Sequence, residues 1–158
     1  MSGVGRYALP EGLPVPVPSR DGLDLPFWEA CRRHELWVQR CRECGAWQWG
    51  PEIICHQCRR FTMGWEQVEP NGRIYSWERV WHPVHRSLTD ACPYVVLLVE
   101  LPDAGGVRMV GNLVGDPLAP FAIGEPVEAV FEDHEVGERA YTLVHWKLVS
   151  SAAGRPES

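Results

Sequence analysis

Two C-x-x-C pairs constrain this chain more than any other feature. Cys41 and Cys44 stand in CREC, Cys55 and Cys58 in CHQC, with ten residues between the pairs. One such pair forms a tight turn that presents two thiolates. Two such turns facing each other close a tetrahedral four-sulfur site, the arrangement Zn²⁺ takes in structural positions. The separation is somewhat shorter than the usual two-knuckle pattern, which requires only a shorter hairpin between the turns. Gly45 follows the first pair, where a positive φ is often needed. The rival reading, two redox dithiols, fits less well, because a redox pair normally comes singly beside a βαβ pattern. A four-thiolate set can hold zinc or iron. Either way it leaves no open coordination position, so a structural role is expected and catalysis is not.

The chain has 158 residues, enough for one compact domain or two small ones. The longest apolar run, Tyr94 to Val99, is six residues, far below the roughly 18 that a membrane span needs. The N-terminal residues MSGVGRYALPEGLPVPVPSR lack a basic start followed by an apolar stretch, so no secretory signal is expected. Cys31 and Cys92 lie in apolar surroundings and are expected to be buried free thiols, in keeping with a reducing cytoplasm. Charge is uneven. Residues 31–60 carry six arginines against three acids, a local +3, whereas residues 65–149 carry five arginines and Lys147 against thirteen acids, a local −7. An acidic larger module argues against a wide nucleic-acid surface, which needs clustered Lys and Arg. The basic stretch suits a phosphorylated ligand or an acidic partner.

Four segments are expected. Residues 1–23 form a Pro-rich arm with polyproline character in LPVPVP. Residues 24–64 hold a helix and the cysteine ribbon. The helix opens at Asp24-Leu25-Pro26, with Asp24 placed to cap and proline in the first turn. Phe27, Trp28 and Cys31, then Leu36 and Trp37, fall at roughly helical spacing. Residues 65–150 read as strands: Trp65–Val68, Arg73–His82, Tyr94–Leu101, Val107–Val114, Val127–Glu132 and Tyr141–Val149, broken by turn signals at Pro70-Asn71-Gly72 and at 102–106. Such strands suit a small antiparallel barrel or sandwich, and among barrels a five-stranded OB-fold fits best. Residues 151–158 read as a frayed tail. The fold class expected is therefore mainly β: an N-terminal helix, a rubredoxin-like zinc ribbon, then a five-stranded OB-fold barrel.

These segments resemble a bacterial and archaeal family that pairs a rubredoxin-like zinc ribbon with an OB-fold domain and was long catalogued as a domain of unknown function. The resemblance covers about residues 24–149. It rests on LPFWEACRRHEL leading into WVQRCRECG, on CHQC, NGRIYSWERVWHP, PYVVLLVEL, MVGNLVG and GEPVEAVFED. It implies a partner role, because family members accompany thiolase-fold proteins that handle acyl-CoA thioesters. Some bridge a thiolase to the next enzyme. Others pair with a thiolase-like aldolase that cleaves β-hydroxyacyl-CoA side chains in steroid breakdown, where the accessory protein can be fused to a hydratase. Cys41, Cys44, Cys55 and Cys58 match the ribbon ligands. RSLTDAC departs from the glycine-and-aromatic segment the family pattern leads one to expect.

Outside the cysteines, one surface stands out. Period-two alternation puts Tyr75, Trp77, Arg79 and Trp81 on one face of the first long strand. Aromatics with arginine on an OB face can stack bases, fill the barrel, or lie under a partner. Eight tryptophans favour the partner, since tryptophan is enriched at interfaces. His82 and His85 in WHPVHRS form a His-x-x-His pair with no third ligand at a fixed spacing, which reads as a loop beside a binding site. His56 lies inside the second knuckle, where four cysteines already complete the tetrahedron. Glu132, Asp133 and Glu135 read as a solvated loop, and His34, His134 and His145 carry no motif. No nucleophile elbow, P-loop or dinucleotide fingerprint is present.

The function expected is that of an accessory subunit of a thiolase-like acyl-CoA enzyme, with Zn²⁺ as structural metal and an acyl-CoA thioester as substrate of the complex. The reaction expected is retro-aldol cleavage of a steroid side-chain β-hydroxyacyl-CoA, with the catalytic groups on the partner. The rivals are an accessory protein of a biosynthetic thiolase or ketoacyl synthase, a single-stranded nucleic-acid module, and a free-standing acyl-CoA enzyme. A cytoplasmic protein with no membrane association is expected.

Overall fold

The computed structural model describes residues 8, 17–19, 21–136 and 139–149. Most of the expected arm and all of the expected tail lie outside the described residues. The chain opens with helix α1 (Leu25–Cys31), with Pro26 in its first turn. Asp24 sits at the N-cap position, but its carboxylate accepts from the indole N–H of Trp28 at 2.7 Å and caps no backbone N–H. The helix buries Phe27, Ala30 and Cys31 and then stops. His34 takes a left-handed φ of 58°, which reverses the chain. Leu36 and Trp37, read above as continuing the helical spacing, therefore belong to strand β1 (Leu36–Cys41).

β1 is the centre of a three-stranded antiparallel sheet. It lies between β2 (Trp47–Gln48) and β3 (Met63–Val68), with Gln39 opposite Gln48 and Leu36 opposite Val68. The segment from Trp65 that reads as the first barrel strand is thus the third strand of the ribbon sheet. Its ladder runs back to Met63, opposite Cys41.

The second sheet contains β4 (Asn71–Val80), β5 (Tyr94–Leu101), β6 (Val107–Asn112), β7 (Pro126–Val136) and β8 (Arg139–Leu148), in the antiparallel order β6-β5-β4-β7-β8. β5 is buried at every second residue, Val95, Leu97, Val99 and Leu101, the alternation of a strand with one face on a core. The two edges approach but are not joined by a ladder. One parallel bridge links Leu113 to Trp146, and Val114 N–H donates to the Trp146 carbonyl at 2.8 Å. The indole of Trp146 is fully buried and fills the space between these edges.

The two sheets share one core. Phe27 and Cys31 of α1, and Leu36, Val38 and Val68 of the ribbon sheet, cluster with Ile74, Leu97, Val99, Met109, Val127 and Trp146 of the barrel sheet. His34 ties the end of α1 to β7: its ring stacks on Phe131 at 5.3 Å and its Nε2 lies 3.1 Å from Asp133. Cys31 is a fully buried free thiol, pushed up to about 12 by its burial and inert for that reason. Cys92 is also free but only partly buried, because it lies in the connection before β5 and not in the core.

Gly111 shows how tightly the edges close. A Cβ there would lie 2.7 Å from Cδ1 of Trp146 and 3.1 Å from the Val144 carbonyl oxygen. Neither neighbour can retreat, since the indole is enclosed by the core and the carbonyl is backbone. Gly111→Ala is expected to destabilise the fold by about 1–3 kcal/mol through overpacking, read as a lowered urea midpoint with an unchanged slope.

Candidate metal centre and neighbouring surfaces

The two knuckles are built alike. In the first, Cys41 N–H donates to the Ala46 carbonyl (2.8 Å) and Gly45 N–H to the Cys41 carbonyl (2.9 Å). In the second, Cys55 N–H donates to Arg60 (3.0 Å) and Arg59 N–H to Cys55 (3.0 Å). The residue after each pair takes a positive φ: 75° at Gly45, as the sequence suggests, and 60° at Arg59. An L-residue pays roughly 1–2 kcal/mol for that conformation, so the second knuckle is held against a local preference.

The four sulfur atoms lie within 4.8 Å of one another. Cys41 and Cys58 are 3.6 Å apart, and Cys44 and Cys55 are 3.7 Å apart. A regular tetrahedron with Zn–S bonds of about 2.3 Å has sulfurs about 3.8 Å apart. The donor set, with these two separations close to that value, fits a structural dication. Its electrostatics agree. The Cys44 backbone N–H, with the Thr62 hydroxyl 3.3 Å away, lowers the Cys41 thiol to about 6. The Cys58 N–H leads in lowering Cys55. At Cys58 the Arg60 N–H favours the thiolate, but burial and the three neighbouring sulfurs outweigh it and push the thiol up to about 12. Burial and the neighbouring sulfurs thus disfavour the thiolate at Cys58, and a dication between the sulfurs would remove that obstacle.

Two buried amides brace the chain between the knuckles. Gln39 and Gln48 face each other across β1 and β2. Gln39 donates to the Glu52 carbonyl (3.1 Å) and accepts from the Glu52 N–H (2.9 Å). Gln48 donates to the Ile54 carbonyl (3.3 Å) and accepts from the His56 N–H (2.9 Å). Each side chain thus supplies a donor and an acceptor to a loop with no strand partner of its own. His56 also reaches Gln48 through Nδ1, at 2.9 Å.

The expected aromatic face is divided. A β-bulge between Ile74 and Ser76 adds one residue to β4 relative to β5, which shifts the alternation. Tyr75 packs under the Arg108 guanidinium, 3.5 Å from its ring centroid, beside the Arg108–Glu100 ion pair. Trp77 and Arg79 stand opposite the buried Leu97 and Val95, at the open end of the barrel. There Trp77 meets Phe121 edge-on at 4.9 Å. Arg79 donates to the carbonyls of Pro117 (2.7 Å) and Ala119 (3.4 Å) and lies against both rings. Trp81 and His82 lie beyond the end of β4 and are exposed. His85 accepts from the Ser87 N–H through Nδ1 at 3.2 Å and starts the short 3-10 turn Arg86–Ala91. Among the described residues the four cysteines are the only group with metal-ligand geometry, so His82 and His85 are not brought together with further ligands.

Two profiles of known families match the chain in succession, the ChsH2 rubredoxin-like zinc ribbon domain over residues 28–64 and the ChsH2 C-terminal OB-fold domain over residues 65–132. A DUF35 domain-containing scaffold protein of Methanothermobacter thermautotrophicus is 34% identical over 109 residues, 68% of this chain and 80% of that protein. The chain belongs to the DUF35 family. A solved chain described as Ltp2-ChsH2(DUF35) aldolase is 31% identical, with a TM-score of 0.68 over 85% of this chain and 98% of that one. The 3-oxo-4,17-pregnadiene-20-carboxyl-CoA hydratase alpha subunit of Mycobacterium tuberculosis is 32% identical over 124 residues. Those residues are 78% of this chain and 38% of that protein, so the DUF35 chain spans little more than a third of its relative. The expected family and the expected zinc ribbon with OB-fold are therefore both found. No helix among the described residues is long and apolar enough to cross a membrane.

One polar cluster of this DUF35 protein is not visible in its sequence. Glu132, read above as part of a solvated loop, is 8% exposed on β7. His134 Nε2 lies 2.6 Å and His145 Nε2 3.4 Å from its Oε1, and the Ala8 N–H donates to its other oxygen. The ring of His134 stacks on Tyr141. Three things obscure this cluster: β7 runs beyond Glu132 to Val136, His145 comes from the neighbouring strand, and Ala8 lies 124 residues away. Burial alone would raise the Glu132 carboxyl. The approach of His145, the Ala8 N–H and His134 outweigh it and hold the carboxyl below its ordinary 4.5.

A carboxyl depressed in the folded state stabilises above its unfolded pKa and loses that contribution as pH falls through the folded one. The stability gap between wild type and Glu132→Gln should therefore be widest near neutrality and narrow below about pH 4.5, as read by urea unfolding across that range. At the metal centre, native mass spectrometry is expected to find one zinc per wild-type chain and none in Cys41→Ser. The variant should also unfold at lower urea, because a structural zinc contributes binding energy directly to folding.

Proposed function

We propose that this chain is the accessory subunit of a thiolase-like enzyme acting on acyl-CoA thioesters, and that the complex is an aldolase. The observation that carries the reading is the match, over 98% of its length, of a solved chain described as belonging to the Ltp2-ChsH2(DUF35) aldolase. The likeness to the alpha subunit of a pregnadiene-carboxyl-CoA hydratase supports a steroid side-chain CoA thioester as the class of substrate. In a retro-aldol cleavage a base takes the proton of the β-hydroxyl, the Cα–Cβ bond breaks, a carbonyl product leaves, and the electron pair passes to the thioester as an enolate that is then protonated at Cα. Donors facing the thioester oxygen lower that barrier. We assign the base and those donors to the thiolase-like partner. This chain supplies the scaffold and one wall of the CoA channel, as a cytoplasmic component of the complex.

The ribbon has the charge for that wall. Arg42, Arg59 and Arg60 are exposed and form no carboxylate ion pair among the described residues. Arg42 lies so close over Gly64 that a Cβ there would be 2.7 Å from its Nε. It borders, with Trp65, an open groove of about 540 Å³ beside the first knuckle. Arginines with free donors are suited to phosphate oxygens. Nucleic-acid stacking is less well supported, because the bulge separates Tyr75 from Trp77 and the Arg79 donors are used within the chain.

Co-expression with a candidate thiolase-like partner tests the reading. A stable complex is expected, with retro-aldol cleavage of a β-hydroxyacyl-CoA at least tenfold faster than for the partner alone. Full activity of the partner by itself would remove the need for this subunit.

A further inference from the structure

Strands β7 and β8 are covered on a side where solvent is expected. Opposite residues of an antiparallel pair share a face. The pairs Ala129–Trp146 and Phe131–Val144 pack on the core. Successive residues alternate, so Val130–His145, Glu132–Leu143 and His134–Tyr141 occupy the outward face. The face of an antiparallel sheet that points away from the core is commonly solvated. Here Glu132 is 8%, His145 6% and Tyr141 5% exposed. Something other than the core encloses them.

Chain from the N-terminus reaches this face. The Ala8 N–H donates to one oxygen of Glu132, and His134 Nε2 lies 2.6 Å from the other. The buried carboxylate therefore has a partner at both oxygens, one of them 124 residues away in sequence. The same face holds His145, whose ring nitrogens make no hydrogen bond, although Nε2 comes within 3.4 Å of Glu132. Withdrawing an imidazole from water without a partner is unfavourable, so apolar cover must offset it. The sequence around Ala8, Tyr7-Ala8-Leu9-Pro10, supplies apolar groups. The connection is short. Val17 follows nine residues after Ala8, and nine extended residues span at most about 30 Å. From there the chain enters α1, and just past that helix His34 meets Phe131 and Asp133 of β7. A tether of this length gives an effective concentration on the order of millimolar, which a second copy does not match in dilute solution.

We infer that the outward face of β7 and β8 is the seat of this chain's own N-terminal segment, and that Glu132 is the anchor that takes its Ala8 N–H. The segment acts as a strap across the sheet. While it is seated, Glu132 and His145 are closed to solvent. Its release uncovers a carboxylate and an imidazole on the side of the sheet opposite the core. This holds whether or not the chain is an accessory subunit.

Carbethoxylation by diethyl pyrocarbonate, read by mass spectrometry, reports access to each histidine ring. It is measured on the full chain, on Ala8→Pro, on Ala8→Gly and on a chain lacking residues 1–16, with circular dichroism confirming that each is folded. In the full chain His145 is expected to react at least tenfold more slowly than the exposed His82. Removal of residues 1–16 should raise the His145 rate at least tenfold and leave His82 within twofold. Ala8→Pro, which removes the N–H, should raise the His145 rate at least threefold. Ala8→Gly, which keeps it, should leave the rate within twofold. An unchanged His145 rate in Ala8→Pro or in the folded shortened chain overturns the inference, and Ala8→Pro alone decides it if the shortened chain does not fold. A His145 rate in the full chain that climbs on hundredfold dilution assigns the strap to a second copy and overturns it as well.

Discussion

Four thiolates held within 4.8 Å of one another are mutually repulsive until a dication stands between them, and the rest of the ribbon depends on that condition. Its second strand has only two residues and its inter-knuckle loop has no ladder. A module of this size buries too little apolar surface to fold on hydrophobic gain alone. The backbone amides around the sulfurs are arranged for negative charge, since Cys41 is lowered to about 6 and Cys55 is lowered as well. At Cys58 burial and the neighbouring sulfurs act in the opposite direction. Backbone dipoles favour the thiolate at Cys41 and Cys55, and a dication would favour it at all four positions.

What the metal holds reaches into the barrel. β1 brings Cys41 to the site at one end and buries Leu36 and Val38 in the common core at the other. β3 leaves the ribbon sheet at Val68 and enters β4 within three residues. Ribbon and barrel can therefore be told apart as family profiles while sharing one hydrophobic interior. Displacement of β1 would disturb the packing of Val99 and Trp146 as well as the knuckles. In this way a site without an open coordination position can still govern a distant surface.

The features legible in the sequence are those set by local chemistry. The cysteine spacing identifies the ribbon, Gly45 carries the expected positive φ, and the alternation of β5 is visible in PYVVLLVEL. The features that were not legible depend on a single residue or on distant partners. One extra residue in β4 reverses the face of everything before it, so Tyr75 parts from Trp77. The helix ends where His34 turns left-handed, although Leu36 and Trp37 keep a helical spacing. Glu132 has the look of a solvated acid, and only the fold brings His134, His145 and Ala8 to it. Local propensity carries no information about any of these three.

Arg79 shows why placement matters more than residue type. An arginine between aromatics on an OB strand suggests a ligand for bases or phosphates. Here its donors end on two backbone carbonyls and its plane lies against Trp77 and Phe121. Replacing the bonds to Pro117 and Ala119 with bonds to a phosphate would strand two carbonyls and free the loop that carries Leu118 and Ile123. Those two bonds hold the guanidinium against the loop as a brace.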